Sequence, residues 1–310
     1  SAGGGTVATP TDSPGQATYY ATQTVTLSDA TGSSVICYTV DGTTPAATTP
    51  GTCSHGNTYS TGLAVTSTTT VKAIGTKAGM TNSAVLTSIY TITVIALDGG
   101  VHCATDNGAA ASNTAACTLT GVTAGDTIVC EWTLGNQASF VDSVADATNG
   151  AYSFLDYWNN TTRGRAYGIA YFQNAAAGNV TPTVTMDDVV ANNAISCQAF
   201  KNTRTTLVID TGLIEQLQTL TSTANPTSGT AQTPANDGEL ILGFLGTSHA
   251  PTAGSGYALI DSQATSLGFP EYWIQTTVTS TNTPYVDATA ANWTNEQVAF
   301  LPINASAPTS

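Results

Sequence analysis

Positive charge is scarce in this chain. Six Lys and Arg stand against 20 Asp and Glu in 310 residues, giving a formal net charge of -14 and a pI of about 4.1. Six cations spread over that length cannot build the basic patch that neutralises phosphates, so nucleic acid is excluded as a partner. Charged residues of both signs make up only 8% of the chain, about a third of the usual share. No apolar run approaches ~18 residues, so no segment reads as a membrane span. The sequence also lacks a C-x-x-C pair and a G-x-S-x-G elbow; Gly254-Ser255-Gly256 belongs to a TAGSGY turn. The three histidines, His55, His102 and His249, lie far apart in loop-like contexts and are expected to be solvated. With no motif for a nucleophile or a metal centre, the chain is expected not to be an enzyme and to carry no cofactor.

What the sequence does contain is strand. Roughly one residue in five is Thr, and 41% of residues are hydrophobic, enough for packed cores. ATQTVTLSD, SSVICYTV, TTTVKAIGT and SAVLTSIYTITV alternate with period two between turn residues, the pattern of a β-sandwich. After Ile95–Gly100 the strands lengthen and gain aromatics: DTIVCEWTLG, YSFLDYW, GRAYGIAYFQ, TPTVTMDDVV, NAISCQAF, GELILGFLGT, EYWIQTTVT and EQVAFLPI. The expected fold class is all-β, two tandem sandwiches. A tail (1–5) leads into a smaller immunoglobulin-like module (6–94), a linker (95–100) with Asp98-Gly99-Gly100 as hinge, a larger jelly-roll-like sandwich (101–304) and a second tail (305–310). Only Asp210–Leu220 offers a helix-like pattern, equally readable as a loop with one turn.

Six cysteines, Cys37, Cys53, Cys103, Cys117, Cys130 and Cys197, form an even set that reads as disulfides in a secreted protein. Of fifteen pairings, chain proximity favours Cys37 with Cys53 and Cys103 with Cys117. That leaves Cys130 and Cys197, each inside a strand-like run. The opening residues SAGGG show no charged n-region or apolar h-region; a secretory signal peptide, if there was one, is expected to have been removed already.

The first module carries a resemblance. Tyr38-Thr39-Val40-Asp41-Gly42-Thr43-Thr44-Pro45, followed by Tyr59-Ser60 and the Thr68–Ala73 strand, resembles the C-terminal β-sandwich module of the chitobiase/β-hexosaminidase type. It extends over residues 6–94 and departs from the simpler form by the longer loop holding Cys37 and Cys53. The resemblance implies a non-catalytic accessory unit of secreted bacterial proteins. The second module is lectin-like or jelly-roll-like in texture only, and a fold does not fix a function.

Candidate contacts follow from side-chain type. Acid beside aromatic suits a saccharide groove, where a ring stacks on the sugar and a carboxylate takes its hydroxyls. Glu131 with Trp132, and Glu271 with Tyr272 and Trp273, have that form; Tyr157, Trp158 and Trp293 complete the candidate set for sugar or partner contact. The structural alternative is a strand whose aromatic faces the core. Asp187-Asp188, adjacent on a strand, point to opposite faces and cannot make a glycosidase pair. Arg163 and Arg165 would share a strand face and pair with Asp156 or a neighbour. Asp142–Gly150 could supply oxygens to a structural Ca²⁺ but lacks an EF-hand pattern; a hairpin turn at Asn149-Gly150 is the simpler reading.

Two functions are expected to compete. The first is a secreted or cell-surface structural subunit that binds copies of itself head to tail, with a terminal segment (Ser1, Gly3, Gly4, Gly5, Thr6, Val7) donated to a neighbour's open sheet edge. The second is a carbohydrate-binding adhesin module.

Overall fold

The computed structural model describes residues 4–161, 164–206, 209–210, 218–223, 225–246, 251–260, 269–275, 279–282, 284–286 and 291–302. The chain is all-β and divides into two compact units, Ser1–Val94 and Ile95–Ser310.

In the smaller unit a three-stranded sheet (Thr11–Ser13, Gln23–Ser28, Leu63–Val65) and a five-stranded sheet enclose one core. The five strands run in the order Ala17–Tyr19, Leu86–Ile92, Thr69–Thr76, Val35–Thr39, Asn57–Thr58. Period-two alternation places Val25, Leu27, Ile36, Leu63, Val65, Val71, Ala73 and Tyr90 inside. The Tyr90 hydroxyl donates to Asp12 and, at 3.1 Å, to the Pro14 carbonyl, so the buried ring has its polar tip satisfied. After Val35–Thr39 the chain turns at Asp41-Gly42. Asp41 Oδ1 accepts from the Thr43 amide (3.0 Å) and hydroxyl (2.6 Å), and Gly42 takes a φ of 79° that a Cβ would oppose. The same bonds from Thr43 hold the Asp41 carboxyl below its ordinary range.

The larger unit is built in three layers. Its middle layer is a five-stranded antiparallel sheet, ordered Ser153–Asn160, Arg165–Phe172, Thr127–Leu134, Ala194–Lys201, Ala96–Asp106. One face packs on the Ser112–Ala116, Thr183–Val190, Val141–Asp146 and Gly150–Ala151 sheet and on the Leu119–Val122/Gly178–Val180 ribbon, through Ile128, Trp132, Leu134, Ile195, Val144, Val184 and Met186. The opposite face packs on a second five-stranded sheet, ordered Gln218–Thr223, Ala291–Phe300, Leu240–Gly246, Phe269–Ile274, Ala258–Leu259. Val129, Trp158, Tyr167, Ile169 and Phe200 there meet Leu240, Leu242, Phe244, Val298 and Phe300. This differs from the two-sheet sandwich expected from sequence. The reason is visible in the middle strand: all eight residues of Thr127–Leu134 are buried, which requires a layer on each side.

Two further expectations change. Asp98-Gly99-Gly100 is not a hinge but part of the Ala96–Asp106 strand. Ala96 and Leu97 pair with Lys201 and Phe200, and a register shift between Gln198 and Phe200 accommodates Gly99 and Gly100 at φ of 50° and 89°, a bulge rather than a break. His102 lies on that strand, exposed, not in a loop. Of the helix-like Asp210–Leu220 stretch, residues 211–217 lie outside the described residues, and Gln218–Thr223 is strand.

Candidate functional site

Three disulfides are formed: Cys37–Cys53, Cys103–Cys117 and Cys130–Cys197. The candidate aromatic contacts are placed very differently. Trp132 is fully buried, because the sheet face it occupies is covered, and Trp158 is 5% exposed between Tyr167 and Phe244. Neither can reach a ligand, which corrects the expectation for both. Tyr272 is half-buried against Phe200, and Trp273 is half-buried against Tyr257. The Trp293 backbone pairs with Leu220; its side chain lies outside the described residues.

The two carboxyls flagged beside tryptophan are interior groups. Glu131 is buried and accepts from Gln198 Nε2 at 2.6 Å; burial pushes its pKa up to about 8. Glu271 is buried and accepts from the Gly254 amide at 3.0 Å, and burial likewise raises it to about 8. Glu239, buried and bonded to the Asn236 amide at 2.8 Å, is raised by burial to about 8 as well. Burial favours the protonated, uncharged form of all three, which suits an interior group better than a saccharide contact.

A further carboxyl pair escaped the sequence. Asp98 and Asp126 are buried side by side; Thr123 donates its hydroxyl to Asp98 (2.8 Å) and its amide to Asp126 (3.1 Å). Burial, and next the hydrogen bond with Asp98, raise Asp126 to about 7. The pair ties Thr123 and, through the 3.8 Å ion pair with Lys201, a neighbouring strand. It is a buried corner of the fold. Twenty-eight positions apart in sequence, the two acids left no motif to find.

The Asp142–Gly150 stretch forms a hairpin turn. The Asp146 carboxylate accepts from the amides of Thr148 and Asn149 (both 2.7 Å), from Asn149 Nδ2 (3.0 Å) and from the Tyr152 hydroxyl (2.8 Å). With those lone pairs committed, it is a turn anchor rather than a Ca²⁺ ligand. Arg165 donates to the Asn192 carbonyl at 3.3 Å; Arg163, the Asp156 side chain and His249 lie outside the described residues.

The N-terminal segment is tied to its own chain. Thr6 bridges Thr81, Thr81 N–H donates to the Gly5 carbonyl, Val7 N–H donates to the Thr81 carbonyl, and Val7 is 2% exposed. A Cβ on Gly4 would stand 1.9 Å from the Gly79 carbonyl oxygen. Donation of Gly5–Val7 to a neighbour is therefore corrected: the Gly5 carbonyl and the Val7 N–H are already bonded to Thr81, which Thr6 bridges. Ser1, Gly3 and residues 303–310 lie outside the described residues.

One aromatic site does face solvent. At the edge of the middle sheet, Phe140, Val141, Phe154, Leu155 and Tyr157 line an open groove of about 360 Å³. Phe140 is 55% and Phe154 44% exposed, the two exposed aromatics among the described residues. The edge strand slips register between Phe154 and Asp156, and this bulge redirects its side chains. Phe154 then meets the buried Trp132 edge-on, ring centroids 5.5 Å apart, while Phe140 stacks on Tyr157 at 5.7 Å. The platform is held firmly. The Phe140 amide donates to Asp187 Oδ1 (2.8 Å), the Asp187 amide donates to the Phe140 carbonyl (3.1 Å), and the Tyr157 hydroxyl donates to the Ser139 carbonyl. Burial, and then the Asp187 charge, push the Tyr157 hydroxyl pKa upward. Asp187 is exposed and adjoins the groove through its bonds with Phe140. Tyr157 is thus the one sequence candidate at this site; Phe140, which follows a polar turn, gave no sequence signal.

Residues 14–87 match the family of the chitobiase/β-hexosaminidase C-terminal domain. Domains of that kind are non-catalytic modules, and the match lies wholly within the smaller unit. No curated protein matches the chain. Among solved structures, the D00-D0 domain of Intimin is similar at 14% identity, covering 60% of this chain and 98% of that one with a TM-score of 0.20; so loose a superposition carries no argument. What stands is a disulfide-stabilised all-β chain whose smaller unit carries a non-catalytic module. No helix among the described residues is long and apolar enough to cross a membrane.

Proposed function

We propose that the chain is a secreted, non-catalytic adhesive protein whose larger unit holds a saccharide in the Phe140/Phe154/Tyr157 groove. The observation that carries this reading is the pair of exposed phenylalanines on a fixed platform, in a unit whose other described aromatic rings are buried or half-buried. A pyranose presents an apolar C–H face that packs on aromatic rings, and its hydroxyls are donors for an adjoining carboxylate such as Asp187. The groove is open, which suits a sugar at the end or side of a longer glycan rather than an engulfed small molecule.

Affinity electrophoresis through gels containing soluble polysaccharides tests this. Retardation by at least one of them is expected, and Phe140→Ala should abolish it. Retardation unchanged in that variant, or none with any polysaccharide, overturns the assignment.

Homopolymer assembly is the second reading, favoured by one observation. The Ser153–Asn160 strand is an eight-residue sheet edge carrying Phe154, and such edges invite strand addition. A second copy pairing there would cover the same groove. Light scattering and negative-stain microscopy separate the two: concentration-dependent fibres lost in Phe154→Ala support assembly, and a monodisperse species near 31.4 kDa excludes it.

A further inference from the structure

The larger unit brings two disulfides into contact. Cys197 lies opposite Cys103 on one neighbouring strand and opposite Cys130 on the other. It is bonded to Cys130, while Cys103 is bonded to Cys117. The Sγ atoms of Cys103, Cys117 and Cys197 nevertheless all lie within 4.8 Å of one another. Cys197 therefore has one bonded sulfur and two more within easy reach. Access to the cluster is graded: Cys103 is half-buried, Cys117 is 5% exposed, and Cys130 and Cys197 are fully buried.

Disulfides exchange when a thiolate attacks one sulfur and expels the other, and access decides which sulfur is attacked. Here the sulfur nearest solvent is Cys103, and the one it would expel sits beside a second disulfide. We propose that Cys103 is a thiol-modification site, taking a small monothiol as a mixed disulfide, and that this modification is coupled through Cys117 to the buried Cys130–Cys197 bond.

The chemistry balances in two steps. The monothiol loses its proton, and its thiolate bonds to Cys103 Sγ; the Cys103–Cys117 bond breaks and its electron pair leaves on Cys117. The Cys117 thiolate then attacks Cys197 Sγ, forming Cys117–Cys197, and the Cys130–Cys197 bond breaks with its electron pair on Cys130. Cys130 takes up the proton released at the start. One thiol enters and one thiol remains, with no external oxidant or reductant consumed. The outcome is that a reaction at the half-exposed edge strand opens a bond between two central strands that solvent does not reach.

Cys37–Cys53 in the smaller unit provides an internal control. It also has a half-buried sulfur, Cys53, but belongs to no sulfur cluster among the described residues, so attack there can free only Cys37.

The test is to incubate the full native chain with glutathione, quench with an alkylating reagent, and map the peptides by mass spectrometry. The expected products are a glutathione adduct on Cys103, alkylation of Cys130, a Cys117–Cys197 crosslinked peptide, and matching loss of the Cys130–Cys197 peptide. Cys103→Ser makes the thiol at Cys117 permanent, so the same Cys117–Cys197 peptide should appear with no thiol added; circular dichroism checks that the variant keeps its sheets. Alkylation confined to Cys117, with the Cys130–Cys197 peptide undiminished, would overturn the coupling. Failure of Cys103 to take glutathione would overturn the site itself. Should the variant not fold, the wild-type mapping alone decides.

Discussion

The two faces of the middle sheet are made by the same strands and solve burial in different ways. On one face Ile128, Trp132, Leu134 and Ile195 pack as hydrocarbon around two disulfides. On the other, Val129, Ile169 and Phe200 share the interior with Gln198 and the carboxyl of Glu131, which alternation along the same two strands sends there. The apolar cluster on the first face contains no carboxyl. The second face does, and a carboxyl stays buried there at least cost while it keeps its proton. Interior polarity, not overall charge, should therefore set how the larger unit responds to its surroundings.

The largest effect should come from pH. Glu131, Glu239 and Glu271 are each raised by burial to about 8. A carboxyl raised in the folded state adds stability that is fully present below its unfolded pKa near 4.5 and is lost as pH climbs to about 8. For Glu131 alone this amounts to roughly 4–5 kcal/mol. All four tryptophans, Trp132, Trp158, Trp273 and Trp293, lie in the larger unit, so tryptophan fluorescence reads its unfolding separately from the smaller one. The urea midpoint should be highest near pH 5 and fall steadily toward pH 8, and Glu131→Gln should flatten that slope. A midpoint independent of pH would erase the contrast between the faces.

Next in size is the crosslinked face. Cys130–Cys197 spans 67 residues and Cys37–Cys53 spans 16. Loop-closure entropy predicts about 4 kcal/mol lost on replacing the first pair by alanine and about 3 kcal/mol for the second. Only the first should shift the tryptophan transition; the second should appear in the tyrosine signal of the smaller unit. Equal shifts of both transitions would mean that the units do not unfold independently.

Trp132→Ala should cost about 3–5 kcal/mol by leaving a cavity and should also loosen Phe154, whose ring rests on it. Phe140→Ala is the smallest in stability, under about 0.5 kcal/mol, because the ring is more than half exposed. Thermal melts of the two variants together separate support from contact: binding lost with stability kept belongs to the groove.

How much of this was legible follows from where alternation holds. In the smaller unit it holds along Gln23–Ser28, Leu63–Val65 and most of Leu86–Ile92, and Tyr38–Pro45 carries the turn in its own residues; the all-β class was readable there. In the larger unit TIVCEWTL, AISCQAF and ILGFLG run with little polar alternation, the mark of strands covered on both faces. Reading them as one-sided strands hid the third layer. It also turned Glu131 and Trp132, neighbours on opposite faces of one strand, into a supposed groove. The actual groove depends on a one-residue register slip at Phe154–Asp156 and on Phe140 arriving from another strand's start. Pairing geometry of that kind has no local pattern in sequence.

The central claim is that the exposed rings of the larger unit are its contact surface. It is tested most directly by aromatic-ring NMR on full-length chain carrying ¹³C-labelled phenylalanine and tyrosine, titrated with the saccharide that retards it most. Saturable shifts confined to Phe140, Phe154 and Tyr157 are the predicted result. Shifts centred on other rings, with these three unmoved at saturation, would contradict it.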